Sequence, residues 1–235
     1  MRIATIVGAR PQFIKMAPLS REIRKHFEEI VVHTGQHYDY EMDRIFFEQL
    51  GIPAPDYNLG VGSGSHGYQT GEMLKRIEDV LVKEVPDLVI VYGDTNSTLA
   101  GALAASKLGI KIAHVEAGLR CYDKSVPEEV NRVLTDHISD YLFAPTENAV
   151  KCLQKEGITK EVYFTGDVML DALLQNLPIA ERSSKIMENL NLKPKDFILV
   201  TIHRPKNTEK DNLENIVDAI IENGNKVVFP VHPRT

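Results

Sequence analysis

Two carboxylates stand where the chain could do chemistry. Asp94 lies in Gly93-Asp94-Thr95-Asn96-Ser97-Thr98, and Glu116 in His114-Val115-Glu116-Ala117-Gly118-Leu119-Arg120. Each directly follows an apolar run, Asp87–Tyr92 for the first. A glutamate between Val115 and Ala117 at the end of an apolar strand is expected to be partly buried, and so to need a partner or a task. Arg120 and Arg132 are candidate partners, Arg120 being closest to the edge where these acids lie. Glu128 and Glu129 follow Pro127 and read as acids in the first turn of a helix. Asp94 has a competing role as a helix cap, which Thr95 or Ser97 fills equally well. Acids flanked by Gly, Thr, Ser and Arg at one edge read as a reaction site.

Cations and a histidine flank that edge. Gly8-Ala9-Arg10-Pro11 follows the first strand, and Arg10 and Lys15 put two positive charges near a helix N-terminus, suited to an anionic group such as a diphosphate. Gly35-Gln36-His37 ends the second strand with polar groups on the same edge. The Gly62–Gly67 stretch offers backbone N–H groups to phosphate only weakly, since mobile loops share its composition. Neither the G-x-G-x-x-G fingerprint nor the P-loop pattern occurs, which argues against nicotinamide or flavin binding by that route.

The elements that must position these residues alternate. Strands are expected at Arg2–Val7, Ile30–Thr34, the two central runs, Tyr141–Ala144 and Val162–Thr165. Helices are expected over Gln12–Phe27, Asp39–Leu50, Tyr68–Glu84, the Ala-rich stretch to Leu108, from Pro127, and from Thr146. Continuous apolar strands joined by helices mean a parallel sheet covered on both faces, and ligands bind such a sheet outside the carboxyl ends of its strands. Residues 51–67 read as one long irregular connection. The alternation fits one doubly wound, Rossmann-like domain over residues 1–168. Residues 169–235 read as a linker, with 178–184 unstructured, and an incomplete second Rossmann-like domain: strand 197–202, helix 211–222, strand 226–231. Thr201-Ile202-His203-Arg204 would end its first strand.

The totals restrict the partners. A net charge of −6 argues against general nucleic-acid binding, and the longest apolar run is too short to span a bilayer. Two cysteines, Cys121 and Cys152, form neither a disulfide framework nor a zinc pattern, so a reducing, cytoplasmic setting is expected.

Taken in order, Gly8-Ala-Arg10-Pro11 with Lys15, Thr34-Gly-Gln-His37, Gly93-Asp-Thr-Asn-Ser-Thr98, His114-Val-Glu-Ala-Gly-Leu-Arg120, Pro127-Glu-Glu-Val-Asn-Arg132 and His203-Arg204 resemble the non-hydrolysing UDP-N-acetylglucosamine 2-epimerases. The resemblance covers essentially the whole chain. It implies a GT-B-like fold, a homodimer, and interconversion of UDP-GlcNAc and UDP-ManNAc by elimination of UDP and re-addition through a 2-acetamidoglucal, with no cofactor and no metal. It also implies Asp94, Glu116 and Glu128 as acid/base residues. Arg10, Lys15 and His203 match positions tied to catalysis or to holding the nucleotide sugar, and Arg120 and Arg132 are added as substrate-binding candidates. Gln36 and His37 match part of a site where bacterial members bind a second UDP-GlcNAc, although Tyr38-Asp39 departs from that pattern. Gly-Ala-Arg-Pro-Gln12 replaces the commoner Gly-Thr-Arg-Pro-Glu. With Ser65-His-Gly67, that variant also resembles relatives acting on UDP-2,3-diacetamido-2,3-dideoxyglucuronic acid. A GT-B glycosyltransferase is the alternative with the same fold. Family members run well past Thr235, and the further part supplies most uridine and diphosphate contacts, so this chain alone is expected to show weak or absent activity.

Overall fold

The computed structural model describes residues 1–36, 44–202, 205–231 and 235. It divides into two compact units, Met1–Pro178 and Ile179–Thr235. In the first unit, β1 (Arg2–Val7), β2 (Glu28–His33), β3 (Tyr57–Asn58), β4 (Leu88–Tyr92), β5 (Lys111–Val115), β6 (Tyr141–Ala144) and β7 (Val162–Phe164) form one sheet. Every neighbouring pair is parallel, in the order β3-β2-β1-β4-β5-β6-β7. The direction of winding reverses between β1 and β4, which opens a crevice beyond their carboxyl ends. This is the α/β class expected from the sequence.

Alternation along the strands sorts the core into two layers. Ala4, Ile6, Val32, Val89, Val91 and Ile112 pack with residues of α3 (His66–Glu84) and α4 (Asn96–Lys107). Ile3, Val7, Val31, Tyr92, Ala113 and Val115 pack with α1 (Arg10–Ile23) and α2 (Arg44–Leu50) on the other side. The alanines of α4 let it lie close to the sheet: a Cβ on Gly101 would stand 3.0 Å from Ile6 Cγ2. Helices α5 (Pro127–Ile138), α6 (Glu147–Lys155) and α7 (Val168–Ser183) complete this series.

Three expectations change and one falls partly outside the described residues. The connection over 51–67 contains β3, whose two residues pair with Val32 and His33 and are too few to leave a period-2 signature. α3 begins at His66, within the stretch read as loop. The helix expected to open at Asp39 is described from Arg44, Asp39 lying outside the described residues. The proposed linker at 178–184 is helical to Ser183, passing through Pro178. A proline inside a helix forfeits one hydrogen bond, but the surrounding Leu, Ala, Glu and Arg residues favour the helical state.

In the second unit, β8 (Ile198–Leu199) and β9 (Val227–Val228) pair in parallel around α9 (Lys210–Glu222), after the short α8 (Ile186–Asn189). They make a separate two-stranded sheet and do not extend the first.

Candidate active site

Gly8 and Ala9 form the turn from β1 into α1, the place where a dinucleotide fold seats a pyrophosphate. Here a side chain occupies it. Gln12 Oε1 accepts the Gly8 N–H at 2.8 Å and the Ala9 N–H at 3.1 Å, while its Nε2 donates to Tyr92 O and Thr98 Oγ1, each at 3.0 Å. The buried amide thereby joins the turn after β1 to the turn after β4. A carboxylate in its place could not donate to Tyr92 O without first taking a proton. Gly8 has no alternative: a Cβ there would fall 1.9 Å from Thr34 Oγ1 and 2.4 Å from Ser97 Oγ.

The next turn brings the charges together. Lys15, from the face of α1, reaches Glu116 Oε2 at 2.7 Å, and both side chains are largely buried. They meet across Gly93, whose missing Cβ would lie 3.0 Å from Lys15 Nζ and 3.8 Å from Glu116 Oε1; Gly93 holds φ +63°. On β5, Ala113 and Val115 face the α1 layer while Ile112 faces the other. Strict alternation would send Glu116 to the α4 and α5 side. Its own φ of +74° breaks the alternation and turns the carboxylate back to Lys15. A left-handed conformation costs a side chain about 1–2 kcal/mol, and such strain concentrates at functional sites.

Asp94 follows Gly93 directly. Thr95, not Asp94, caps α4 through its side chain, with Thr98 returning the bond. Asp94 is therefore left to accept Arg132 Nη2 at 2.6 Å, and its carbonyl accepts Asn131 Nδ2 at 2.9 Å. Arg132 Nη1 also lies 3.5 Å from Glu129. Glu128 is exposed, one turn before Arg132 on the same face of α5. Glu129 is the structural acid of the pair: it is buried and accepts the backbone N–H groups of Cys121 and Tyr122 at 3.0 and 2.8 Å. Burial pushes its carboxyl up, but those N–H groups and Arg132 outweigh it and leave it below the usual carboxylate value. A depression of about 520 Å³ is lined by His66, Asn96, Lys124, Ser125 and Asn131, the last of which bonds Asp94 O. The first turns of α3, α4 and α5 meet there, an arrangement that favours negative charge.

Arg120 is placed differently from the sequence reading. Its guanidinium makes a two-pronged pair with Glu156 at 2.7 Å on each oxygen and donates to Asp136 Oδ2 at 2.7 Å. With its side chain 1% exposed, it is neither a partner for Asp94 or Glu116 nor open to a substrate. Its fixed planar fork matches two carboxylates at once, which a spacing argument from β5 does not reveal. Asp136 also accepts the Gly118 N–H at 3.0 Å and faces His114 Nδ1 at 2.7 Å. Burial raises the Asp136 carboxyl, and the His114 ring and Arg120 more than reverse this, holding it low. His114 Nε2 meets Gly93 O at 2.7 Å.

Arg10 opens α1 at the carboxyl end of β1. Gln36 Oε1 accepts Ser97 Oγ–H at 2.7 Å and the Ser97 N–H at 3.2 Å, which anchors it on the first turn of α4. His37 and His203 lie outside the described residues. Thus Lys15 pairs with Glu116 and Arg132 with Asp94 just past the carboxyl ends of β5 and β4, while Gln36 sits on the first turn of α4 and Glu128 is exposed on α5. Gln12 and Asp136 were given no role by the sequence reading, and Glu129 only that of an acid in the first turn of α5. A histidine two residues before Glu116 inside a buried strand was the visible sign that His114 needed partners.

A family model described as UDP-N-acetylglucosamine 2-epimerase matches residues 21–235. The chain belongs to the UDP-N-acetylglucosamine 2-epimerase family. A Methanococcus maripaludis protein named UDP-N-acetylglucosamine 2-epimerase homolog is 65% identical over all of this chain and 66% of its own length. A Pseudomonas aeruginosa UDP-2,3-diacetamido-2,3-dideoxy-D-glucuronate 2-epimerase is 52% identical over all of this chain and 68% of its own. The crystal structure of Methanocaldococcus jannaschii UDP-GlcNAc 2-epimerase in complex with UDP-GlcNAc and UDP superposes with a TM-score of 0.93 at 51% identity, covering 100% of this chain and 67% of that one. The chain therefore spans about two thirds of the length of these epimerases.

Proposed function

We propose that the protein containing this chain is a UDP-sugar 2-epimerase that interconverts UDP-GlcNAc and UDP-ManNAc. The observation that carries the reading is the Lys15–Glu116 pair lying across Gly93, immediately before the Asp94–Arg132 pair. The C2 hydrogen of such a sugar has no carbonyl on its carbon, so direct deprotonation is slow. Elimination avoids this: a carboxylate takes the C2 proton as the C1–O bond breaks and UDP departs. A second acid then returns a proton to the opposite face of C2 while a UDP oxygen re-forms the bond to C1. The atoms balance without any redox step. Asp94, Glu116 and Glu128, offered from the ends of β4 and β5 and from α5, are the acids proposed for these transfers. Arg10 and Lys15, with His203, are proposed to stabilise the departing diphosphate, and Arg132 to hold Asp94 in place.

The 52% identical Pseudomonas relative favours a second reading of substrate, the diacetamido uronate, with the same reaction. Proton NMR of each UDP-sugar with the intact protein in deuterium oxide decides between them. Loss of the C2 proton signal with appearance of the 2-epimer is expected for one substrate. UDP release that occurs only with an added acceptor would instead make the protein a glycosyltransferase. A cytoplasmic homodimer belongs to the same proposal, supported by the family resemblance. No helix among the described residues is long and apolar enough to cross a membrane. Sedimentation of the intact protein at twice the chain mass is the expected result.

A further inference from the structure

We propose that His114, carrying a proton on both ring nitrogens, is the positioning residue that fixes the Gly93 turn across which Lys15 and Glu116 meet. The protons follow from the partners. Gly93 O can only accept, so Nε2, 2.7 Å away, donates to it. Asp136 already takes the Gly118 N–H and Arg120 on Oδ2, and that ionised carboxylate accepts from Nδ1 on its other oxygen at 2.7 Å. Both ring nitrogens are therefore donors, and the ring is a cation with no exposure to solvent. The other fully buried strand histidine, His33, is arranged the opposite way, its Nδ1 accepting the Gly35 N–H at 2.9 Å.

Charge alternates outward from the site. Behind His114 stands Asp136, then Arg120, then Glu156, whose Oε2 lies 3.2 Å from the half-exposed His137. On the far side of Gly93 are Lys15 and Glu116, and next along the chain is Asp94. A bond from a buried cation to Gly93 O pins a residue whose φ is +63°, and two of the three proposed catalytic carboxylates adjoin it, Asp94 next in the chain and Glu116 with Oε1 3.8 Å from its Cβ position. His114 touches no reacting atom in this scheme; it acts through Gly93.

The kinetic half of the test rests on the epimerase reading, and the spectroscopic half does not. A glutamine amide at 114 reaches as far as Nε2 and can still donate to Gly93 O. An asparagine amide reaches only to Nδ1 and can serve Asp136 alone. In the intact protein, His114→Asn is expected to lower kcat at least about 100-fold with KM little changed. His114→Gln should stay within about tenfold of wild type, and both should lose similar melting temperature. Equal kcat in the two variants, or a loss confined to KM, would overturn the positioning role. Nitrogen NMR of ring-labelled wild type should show a proton on both His114 ring nitrogens, as the two acceptors demand; one bare nitrogen would overturn the cation. Should wild type act on neither UDP-sugar, the epimerase reading falls by itself. Positioning is then read from the Gly93 and Asp94 amide resonances, which must move in His114→Asn far more than in His114→Gln.

Discussion

Adding one carbon to Gly93 tests the geometry of the site most directly. In Gly93→Ala the new Cβ must adopt φ +63° and stand 3.0 Å from Lys15 Nζ. The left-handed backbone costs about 1–2 kcal/mol. The ammonium can move off, but only by giving up its 2.7 Å bond to Glu116, a charged hydrogen bond worth about 1.5–3 kcal/mol. Together these predict a loss of about 2.5–5 kcal/mol, or roughly 5–20 °C in melting temperature for a domain of this size. Gly109 supplies the control. It holds φ +69° with no other atom within 4 Å of its Cβ position, so Gly109→Ala should lose only the backbone share, about 1–2 kcal/mol, with normal turnover. Gly93→Ala should also slow C2 exchange at least about 100-fold, because Lys15 and Glu116 shift relative to Asp94. Both variants are measured by thermal melting and by the deuterium-exchange assay. If Gly93→Ala turns over at the wild-type rate, or is no less stable than Gly109→Ala, the pairing across this glycine is not what organises the site.

Glu116→Gln and Asp94→Asn are each expected to reduce kcat by about 10²–10⁴-fold, with smaller changes in KM, in steady-state kinetics. Gly8→Ala must displace Thr34 or Ser97 from contacts inside van der Waals range, so it should destabilise by about 1–3 kcal/mol in a denaturant melt; an undisturbed midpoint would contradict the packing. Acid should weaken the fold through Asp136, Glu129 and Glu156, all held below their ordinary values. A depressed carboxylate contributes stability that is present above its unfolded value, about 4, and is lost as pH falls through its folded value. Melting temperature should therefore be level near neutrality and drop in acid, with a shallower drop in Asp136→Asn.

The order of strands and helices, and the placing of Asp94 and Glu116 just past the carboxyl ends of β4 and β5, were legible in the sequence. Each depends on local pattern: continuous apolar runs, turn residues after them, and polar side chains where the runs stop. The family resemblance was legible in the same stretches. β3 was not, being two residues long and held by pairing with β2 alone. Neither was the helix through Pro178, where local propensity competes with a residue that normally ends helices.

Which charges pair was decided only in three dimensions. From sequence, Arg120 stood closest to the acids and Arg132 was the second candidate; α5 and α6 bring Asp136 and Glu156 to the first, leaving the second for Asp94. Glu128 and Glu129 are adjacent in the chain, yet the helix turns one outward and buries the other on two backbone N–H groups. Gln12 and Thr98, 86 residues apart, meet because β1 and β4 are neighbours in the sheet. Periodicity records which face a residue takes, since that depends on neighbours a few positions away. The partner of a charge depends on distances between elements remote in sequence, and only the folded sheet sets those.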